Sequence, residues 1–393
     1  MTNKTICKFA WSSMTSTMID TFRPCCRFPL DDNGQYPTTD QVIHNGISAF
    51  NNEFLNAFRQ DLINGKPRKE CEKCYVEESS NIESMRQKGN KNLTAITNTL
   101  HFDKLEFLEI SLDNLCNLEC RMCNSRFSTK LYQRDKLLFD NGLHEYRPAS
   151  PQYKTLQLMD ALDLTNLKMI KLLGGEPLIS PNLFLFLDKI PYPENVELLI
   201  ITNATTIPSE KILNKLKTFK SVRFDFSIDG IFQYNDYQRV GSDFETTVSN
   251  ALHLAKIFPQ QHSVHCVFSS VNIIGLNSST EWFEKYLPFT LSIDVVSNNI
   301  LSPYIAPDWY RELIIEKIPD HNPYKLYVQN LFEKNHHYDS TEWKKFLDFC
   351  QLTDSLYKTD IGKINPEVAK EIQSQRVNER SLSFGKINQK NSR

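Results

Sequence analysis

Apolar and polar positions change rhythm near residue 105. From there short apolar runs recur at 105–112, 169–173, 196–202, 222–228, 264–269 and 290–296. Between most of them lie stretches with helical apolar spacing, at 183–190, 212–216 and 248–258. Strands alternating with helices predict right-handed βαβ units and a parallel sheet. Six such units fit an α/β fold of the open, partial (β/α)6 barrel type better than a closed eight-stranded barrel.

The flanks read differently. Residues 1–100 suggest mixed turns and helices, with helical spacing over 46–64 (Phe50, Phe54, Phe58, Leu62) ended by Lys66-Pro67. A polar stretch at 87–92 reads as a connector. After Pro303 the chain turns helical and aromatic, with Trp309, Tyr310, Tyr324, Tyr327, Phe332, Trp343, Phe346 and Phe349. Those rings read as helix packing before a substrate groove. Residues 376–393 read as a polar, frayed tail. The expected organisation is a cysteine-rich region over 1–100, the partial barrel over 101–300 and a helical extension over 301–393.

Composition narrows the function classes. A formal net charge of −2 over 393 residues gives no whole-chain basic footprint for nucleic acid or anionic membrane. No apolar run reaches the roughly 20 residues that span a bilayer. The first 14 residues lack the apolar core of a secretory signal, so a cytoplasmic setting is expected. In a reducing compartment, clustered cysteines read as metal ligands before disulfides. The ten cysteines do cluster: Cys7, Cys25, Cys26, Cys71 and Cys74 in one group, Cys116, Cys120 and Cys123 in another. Cys266 and Cys350 stand alone and read as small buried apolar side chains.

The first predicted strand runs straight into the triplet Cys116-x3-Cys120-x2-Cys123. Three thiolates on one loop can wrap three corners of a cubane, and no fourth cysteine is near. Such a [4Fe–4S] cluster keeps one iron open to a ligand, the arrangement of a catalytic metal site. A zinc site completed by a distant residue is the competing reading. The second strand ends in Gly174-Gly175-Glu176-Pro177, where glycines permit close backbone approach to a ligand and the carboxylate can hold an ammonium group. The third ends in Thr202-Asn203 and the fourth in Ser227-Ile228-Asp229, with Asp229 read as a cap at the strand end. Four successive strands thus present polar or metal-binding groups at their carboxyl ends, where parallel α/β folds build active sites.

These residues resemble the radical S-adenosylmethionine (SAM) enzymes over roughly 105–300. The triplet looks like their cluster loop, and Gly174, Gly175, Glu176 and Pro177 like the segment holding the methionine amino group. The resemblance implies that Thr202 and Asn203 lie near the cofactor and that Ser227 approaches its ribose or carboxylate. It also implies that Arg239 pairs with the methionine carboxylate and that Met122 packs near adenine. Two departures are visible: the position of Met122 is often aromatic in the family, and Ala204 stands where glycine often follows Thr-Asn.

Cys7-x3-Trp11, Cys25-Cys26 and Cys71-x2-Cys74 resemble the twitch or SPASM auxiliary-cluster domains of the same superfamily, although those usually follow the barrel. A single auxiliary [4Fe–4S] cluster on Cys7, Cys71, Cys74 and one of Cys25 or Cys26 is implied, with structural zinc as the alternative. The resemblance implies reductive cleavage of S-adenosylmethionine to a 5′-deoxyadenosyl radical. That radical takes hydrogen from a substrate, first a peptide or protein side chain, otherwise a small metabolite, sugar or nucleotide-derived molecule. It also implies an electron donor such as flavodoxin or ferredoxin. The different class left open is a non-catalytic iron–sulfur or zinc scaffold.

Overall fold

A computed structural model describes residues 5–16, 20–29, 33–79, 83–144, 147–149, 151–297, 300–335 and 337–375. The tail reading over 376–393, and His336 of the His336-His337 pair read as an exposed polar turn, lie outside the described residues.

One eight-stranded sheet organises the chain, in the order β2 (Phe22–Arg23), β1 (Ser13–Ser16), β3 (Phe107–Ser111), β4 (Met169–Leu173), β5 (Glu197–Thr202), β6 (Ser221–Ser227), β7 (Ser263–Phe268) and β8 (Thr290–Val295). From β3 to β8 each strand is parallel to the next. All six fall on the predicted apolar runs. Helices Leu183–Asp188, Glu210–Leu216 and Phe244–Ile257 follow β4, β5 and β6, as the spacing predicts. The strands are neighbours in sequence order and do not close on themselves, which makes the fold an open α/β partial barrel.

Alternation along each strand sets the two faces. Ile170 and Leu172, Leu198 and Ile200, Phe224 and Phe226, and Cys266 and Phe268 are buried in the main core with the helices. Their neighbours in between, Lys171, Arg223, Asp225, Ser227 and His265, are half-buried on the opposite, inner face.

The first hundred residues also enter the sheet. β1 (Ser13–Ser16) lies parallel to β3, with Thr15 beside Glu109, and β2 (Phe22–Arg23) pairs antiparallel with β1. A second apolar cluster, including Cys7, Phe9, Trp11, Phe28, Phe58 and Phe107, joins this region to the sheet. The helical stretch predicted over 46–64 divides into a 3₁₀ turn, Gly46–Asn51, and a helix, Glu53–Ile63, capped by Asn52. The predicted connector at 87–92 is instead part of a helix, Met85–Asn92. Ser84 and Gln87 close a reciprocal capping box at its start. Beyond Pro303 the helices Asp308–Glu316, Lys325–Asn335 and Ser340–Tyr357 carry most of the aromatics, and Tyr310, Trp343, Phe346 and Phe349 are buried.

Glu106 fastens this first region to the sheet. Its fully buried carboxylate accepts from the Thr94 and Ala95 amides at 2.8 and 3.1 Å, and from the Thr94 hydroxyl. Lys104 and Lys168 lie at 3.1 and 3.2 Å. Burial alone would raise its pKa, but these donors outweigh burial and hold it at about 2. A carboxyl depressed on folding stabilises fully above its ordinary value of 4.5, and that stability is lost as pH falls toward about 2. Stability measured by urea unfolding is therefore expected to decline through this window, and Glu106→Gln to flatten the decline.

Candidate active site at the cysteine loop

β3 delivers the chain into a loop that carries Cys116, Cys120 and Cys123 over the carboxyl end of the sheet. The loop is held on three sides. Glu119 and Arg121 donate backbone N–H groups to the carbonyls of Val240 and Gln238 at 2.9 and 2.8 Å. The buried Arg134 guanidinium donates to the carbonyls of Cys120 (2.8 Å) and Cys123, and to its neighbour Asp135. Asn117 donates to Thr205 at 2.7 Å and accepts from Asn203 at 3.0 Å, which ties the loop to the end of β5. Arg134 and Asn117 escaped the sequence reading. A buried arginine carries no periodic signal, though its adjacency to Asp135 hints at a pair.

The Gly-Gly step after β4 packs on this same loop. Gly175 donates to the Asp113 carbonyl at 3.0 Å and Glu176 to the Leu115 carbonyl at 2.8 Å. A Cβ at Gly175 would lie 2.2 Å from the Leu115 oxygen, and one at Gly174 (φ 141°) 2.6 Å from the Asp113 oxygen. The close approach anticipated toward a ligand is thus made to the chain's own backbone.

Glu176, 1% exposed, accepts from the Leu178 amide (3.0 Å), the Thr202 hydroxyl (2.8 Å) and the Asn203 amide (2.7 Å). Burial raises its pKa, and those three donors oppose the rise. Its carboxylate therefore organises the end of β5; Oε1 already accepts twice, and Oε2, which takes only the Asn203 amide, keeps acceptor capacity for a further donor. Pro177 is buried at the start of the turn Pro177–Ile179. Ala204 sits at φ 53°, the left-handed region where glycine is easier, which accounts for the residue often found after Thr-Asn.

Arg239 is no surface arginine. Its Nε lies 2.8 Å from Oδ2 of the fully buried Asp229, and an N–H points at the Cys120 sulfur at 3.9 Å. Asp229 also accepts from the Val267 amide at 2.8 Å, a bond to the next strand beyond simple capping. Ser227 is half-buried at the end of β6, in register with His265. Met122 is half-buried and lines a cavity of about 180 Å3 with Cys123, Arg134, Leu301 and Phe349. Cys266 and Cys350 are fully buried in the main core, as small apolar side chains would be.

Burial raises all three loop thiols, Cys120 to about 12 and Cys123 to about 11, while the Arg239 charge opposes the rise at each. Among the described residues no three His, Cys, Asp or Glu side chains stand together as ligands of one metal ion. A cubane asks for something else, since it spreads its ligands over separate irons. Three thiols under one cationic field, with the Glu176 charge also felt at Cys116, fit that donor chemistry.

The other cysteines separate into two environments. Cys7 is buried and feels Cys25, Cys71 and Cys74 as its charged neighbours. Cys26 instead feels Glu109, Lys171, Arg23 and Arg27, and its sulfur lies 3.6 Å from that of Met85. Cys25 feels both its neighbour Cys26 and Cys71, and it is the one of the two that Cys7 feels.

Comparison with known proteins follows this geometry. The radical SAM superfamily model matches residues 110–287, from within β3 to just past the helix Leu276–Tyr286. GTP 3′,8-cyclase of Aliarcobacter butzleri (strain RM4018) is 23% identical over 165 residues, 42% of this chain and 47% of that protein. The chain thus aligns with about half the length of that curated relative. Among solved structures, native anSMEcpe with bound AdoMet is 16% identical, covering 65% of this chain and 67% of that one (TM-score 0.37). Streptococcus suis SuiB bound to precursor peptide SuiA is 13% identical, covering 80% and 68% (TM-score 0.35). Among the described residues no helix is long and apolar enough to cross a membrane. The segment that matches the radical SAM superfamily model, 110–287, contains both the cysteine loop after β3 and the Gly-Gly-Glu-Pro turn after β4.

Proposed function

We propose that the chain is an enzyme of the radical SAM class. Cys116, Cys120 and Cys123 would hold a [4Fe–4S] cluster, and Glu176, Arg239 and the Gly174–Gly175 turn would bound the site for S-adenosylmethionine. The observation that carries this reading is the direct packing of the glutamate turn on the cysteine loop, through Gly175 and Glu176 to Asp113 and Leu115. When bound, the reduced cluster with S-adenosylmethionine supplies a 5′-deoxyadenosyl radical that takes hydrogen from the substrate.

The chain's own residues do the positioning. Glu176 offers its remaining acceptor capacity to an ammonium group, with Thr202 and Asn203 fixing its two oxygens. Arg239 is oriented by Asp229, so its outer N–H groups face Cys120 and a carboxylate beside it. Thr202, Asn203, Ser227 and Met122 complete the proposed cofactor contacts.

In the first hundred residues Cys7, Cys25, Cys71 and Cys74 would hold an auxiliary [4Fe–4S] cluster, with zinc as the alternative. That Cys7 feels Cys25 together with Cys71 and Cys74 favours Cys25 over Cys26. A flavodoxin or ferredoxin would deliver the electron. The substrate we favour is a peptide or protein side chain. A nucleotide-derived small molecule is the second reading, favoured by the 165-residue likeness to a GTP cyclase.

Anaerobic reconstitution with iron and sulfide, reduction and addition of S-adenosylmethionine test the proposal. The expected result is 5′-deoxyadenosine from wild type and none from a Cys116/Cys120/Cys123→Ala variant that still retains about four irons per chain. Wild-type protein that holds iron and never cleaves the cofactor would leave only the scaffold reading.

A further inference from the structure

Two residues below the strand ends, one cross-strand row of the inner face differs from those around it. Register places Arg23 of β2 beside Thr15 of β1, Thr15 beside Glu109 of β3, and Glu109 beside Lys171 of β4. Residues paired in this way share one face of a sheet. The row beneath pairs Ser13 with Phe107 and Phe107 with Met169. Phe107 belongs to the apolar cluster around Trp11, and Met169 packs against it. The polar row therefore lies on an apolar floor.

Hydrogen bonding within the row is incomplete. Thr15 is 1% exposed and its Oγ1 has no partner; Glu109 is 5% exposed and its Oε2 has none. The Arg23 Nε–H is also unpaired, although another N–H of that guanidinium donates to the Phe28 carbonyl. Lys171 approaches Glu109 only to 3.6 Å, at Oε1. Unpaired buried polar groups are costly, and nearly all such groups in native proteins find a partner. Three in adjacent positions are hard to ascribe to packing. Cys26 has Glu109, Lys171 and Arg23 themselves as its charged neighbours, with Arg27.

We propose that Arg23, Thr15, Glu109 and Lys171 form a substrate subsite for an amide group, a peptide bond or a side-chain carboxamide. Lys171 and the Arg23 Nε–H donate to the amide oxygen, while Glu109 Oε2 and Thr15 Oγ1 accept from its N–H. A carboxylate would meet the charge of Glu109, and an ammonium would meet those of Lys171 and Arg23. A carboxamide, with two N–H groups and an oxygen that accepts twice, satisfies all four, and a peptide bond satisfies three. The floor of Phe107 and Met169 suits the hydrocarbon attached to it. Lys171, the most open side chain on the Glu109 side of the row, is the one that swings to admit the ligand. The proposal rests on the reading above, that the substrate is a peptide or protein side chain, and deepens it by naming the group recognised.

The probe is N-acetylglycinamide, with N,N-dimethylacetamide as a control that accepts but has no N–H to donate. Saturation-transfer NMR on the reconstituted full-length chain reads binding, and 5′-deoxyadenosine formed in the same samples reads the enzyme proposal separately. The expected result is transfer to N-acetylglycinamide and none to the control. Glu109→Leu should abolish the transfer, and the isosteric Thr15→Val should lower it at least ~3-fold without lowering Tm, since it removes a polar atom that has no partner in the fold. Equal transfer to both probes, or transfer unchanged in Thr15→Val, would overturn the subsite whether or not the cofactor is cleaved. Cofactor cleavage absent from wild type that still binds the amide would sink the enzyme reading alone.

Discussion

Gly175→Ala is expected to cost about 3 kcal/mol of stability and to strip the chain of the iron its cysteine loop would hold. The added Cβ lands 2.2 Å from the Leu115 carbonyl oxygen, and the Leu115 and Asn114 carbonyl carbons are also within 2.7 Å. All three are backbone atoms, so no side-chain rotation relieves the clash. The turn and the loop must separate, which breaks Gly175 N–H to Asp113 and Glu176 N–H to Leu115. Each such bond is worth about 1 kcal/mol, and buried groups left unpaired add to the loss. Cys116 follows Leu115 directly, so the displacement falls on the first ligand position. Gly142 supplies the control. Unlike Gly175 it has positive φ, 71°, but nothing lies within 4 Å of its Cβ, so alanine there costs only about 1 kcal/mol of backbone strain. Urea midpoints and iron per chain after anaerobic reconstitution measure both effects. Equal behaviour of the two variants would mean that the turn does not brace the loop.

The same contact shows what the sequence could and could not convey. The Gly-Gly-Glu-Pro turn was legible because glycine pairs are costly and mark close approach, but the pattern does not say what is approached. The strands β3 to β8 were legible because each is a short apolar run, with helical spacing between most of them. β1 was not, since Ser13-Met14-Thr15-Ser16 is short, mostly hydroxyl-bearing, and buried without an apolar signal. The helix Met85–Asn92 announced itself only through Ser84 and Gln87, a capping box ahead of residues with almost no apolar face. Arg239 could be placed by resemblance, yet its bond to Asp229 joins the end of β6 to the segment that follows the next helix, a contact no local pattern encodes. Tertiary pairing of charges is therefore where the sequence fell silent, and it is charge pairing that holds this loop.

Arg134 is the sharpest instance, and Arg134→Met is expected to destabilise the chain by about 3–5 kcal/mol. The guanidinium is buried and spends its donors on the Cys120 and Cys123 carbonyls and on Asp135 Oδ1. Methionine fills similar space but leaves the Cys123 carbonyl without its donor, the Cys120 carbonyl with only the Cys123 amide, and Asp135, fully buried, with the Ser125 amide as its remaining bond in this cluster. Breaking a buried pair from one side is the costly case, because the surviving charge is stranded. Arg134→Lys should recover little, since one ammonium cannot span two carbonyls and a carboxylate in the planar fork geometry. Arg134→Met with Asp135→Asn should recover the part due to the stranded charge, and the two losses will not add. What the double variant cannot restore is the pair of carbonyl bonds that set the curvature between Cys120 and Cys123. Stability should therefore return in part while iron binding at the loop does not. Paired urea unfolding and iron counts on the single and double variants read the two quantities apart. Iron retained at wild-type levels in Arg134→Met would show that Arg134 serves the fold and not the loop.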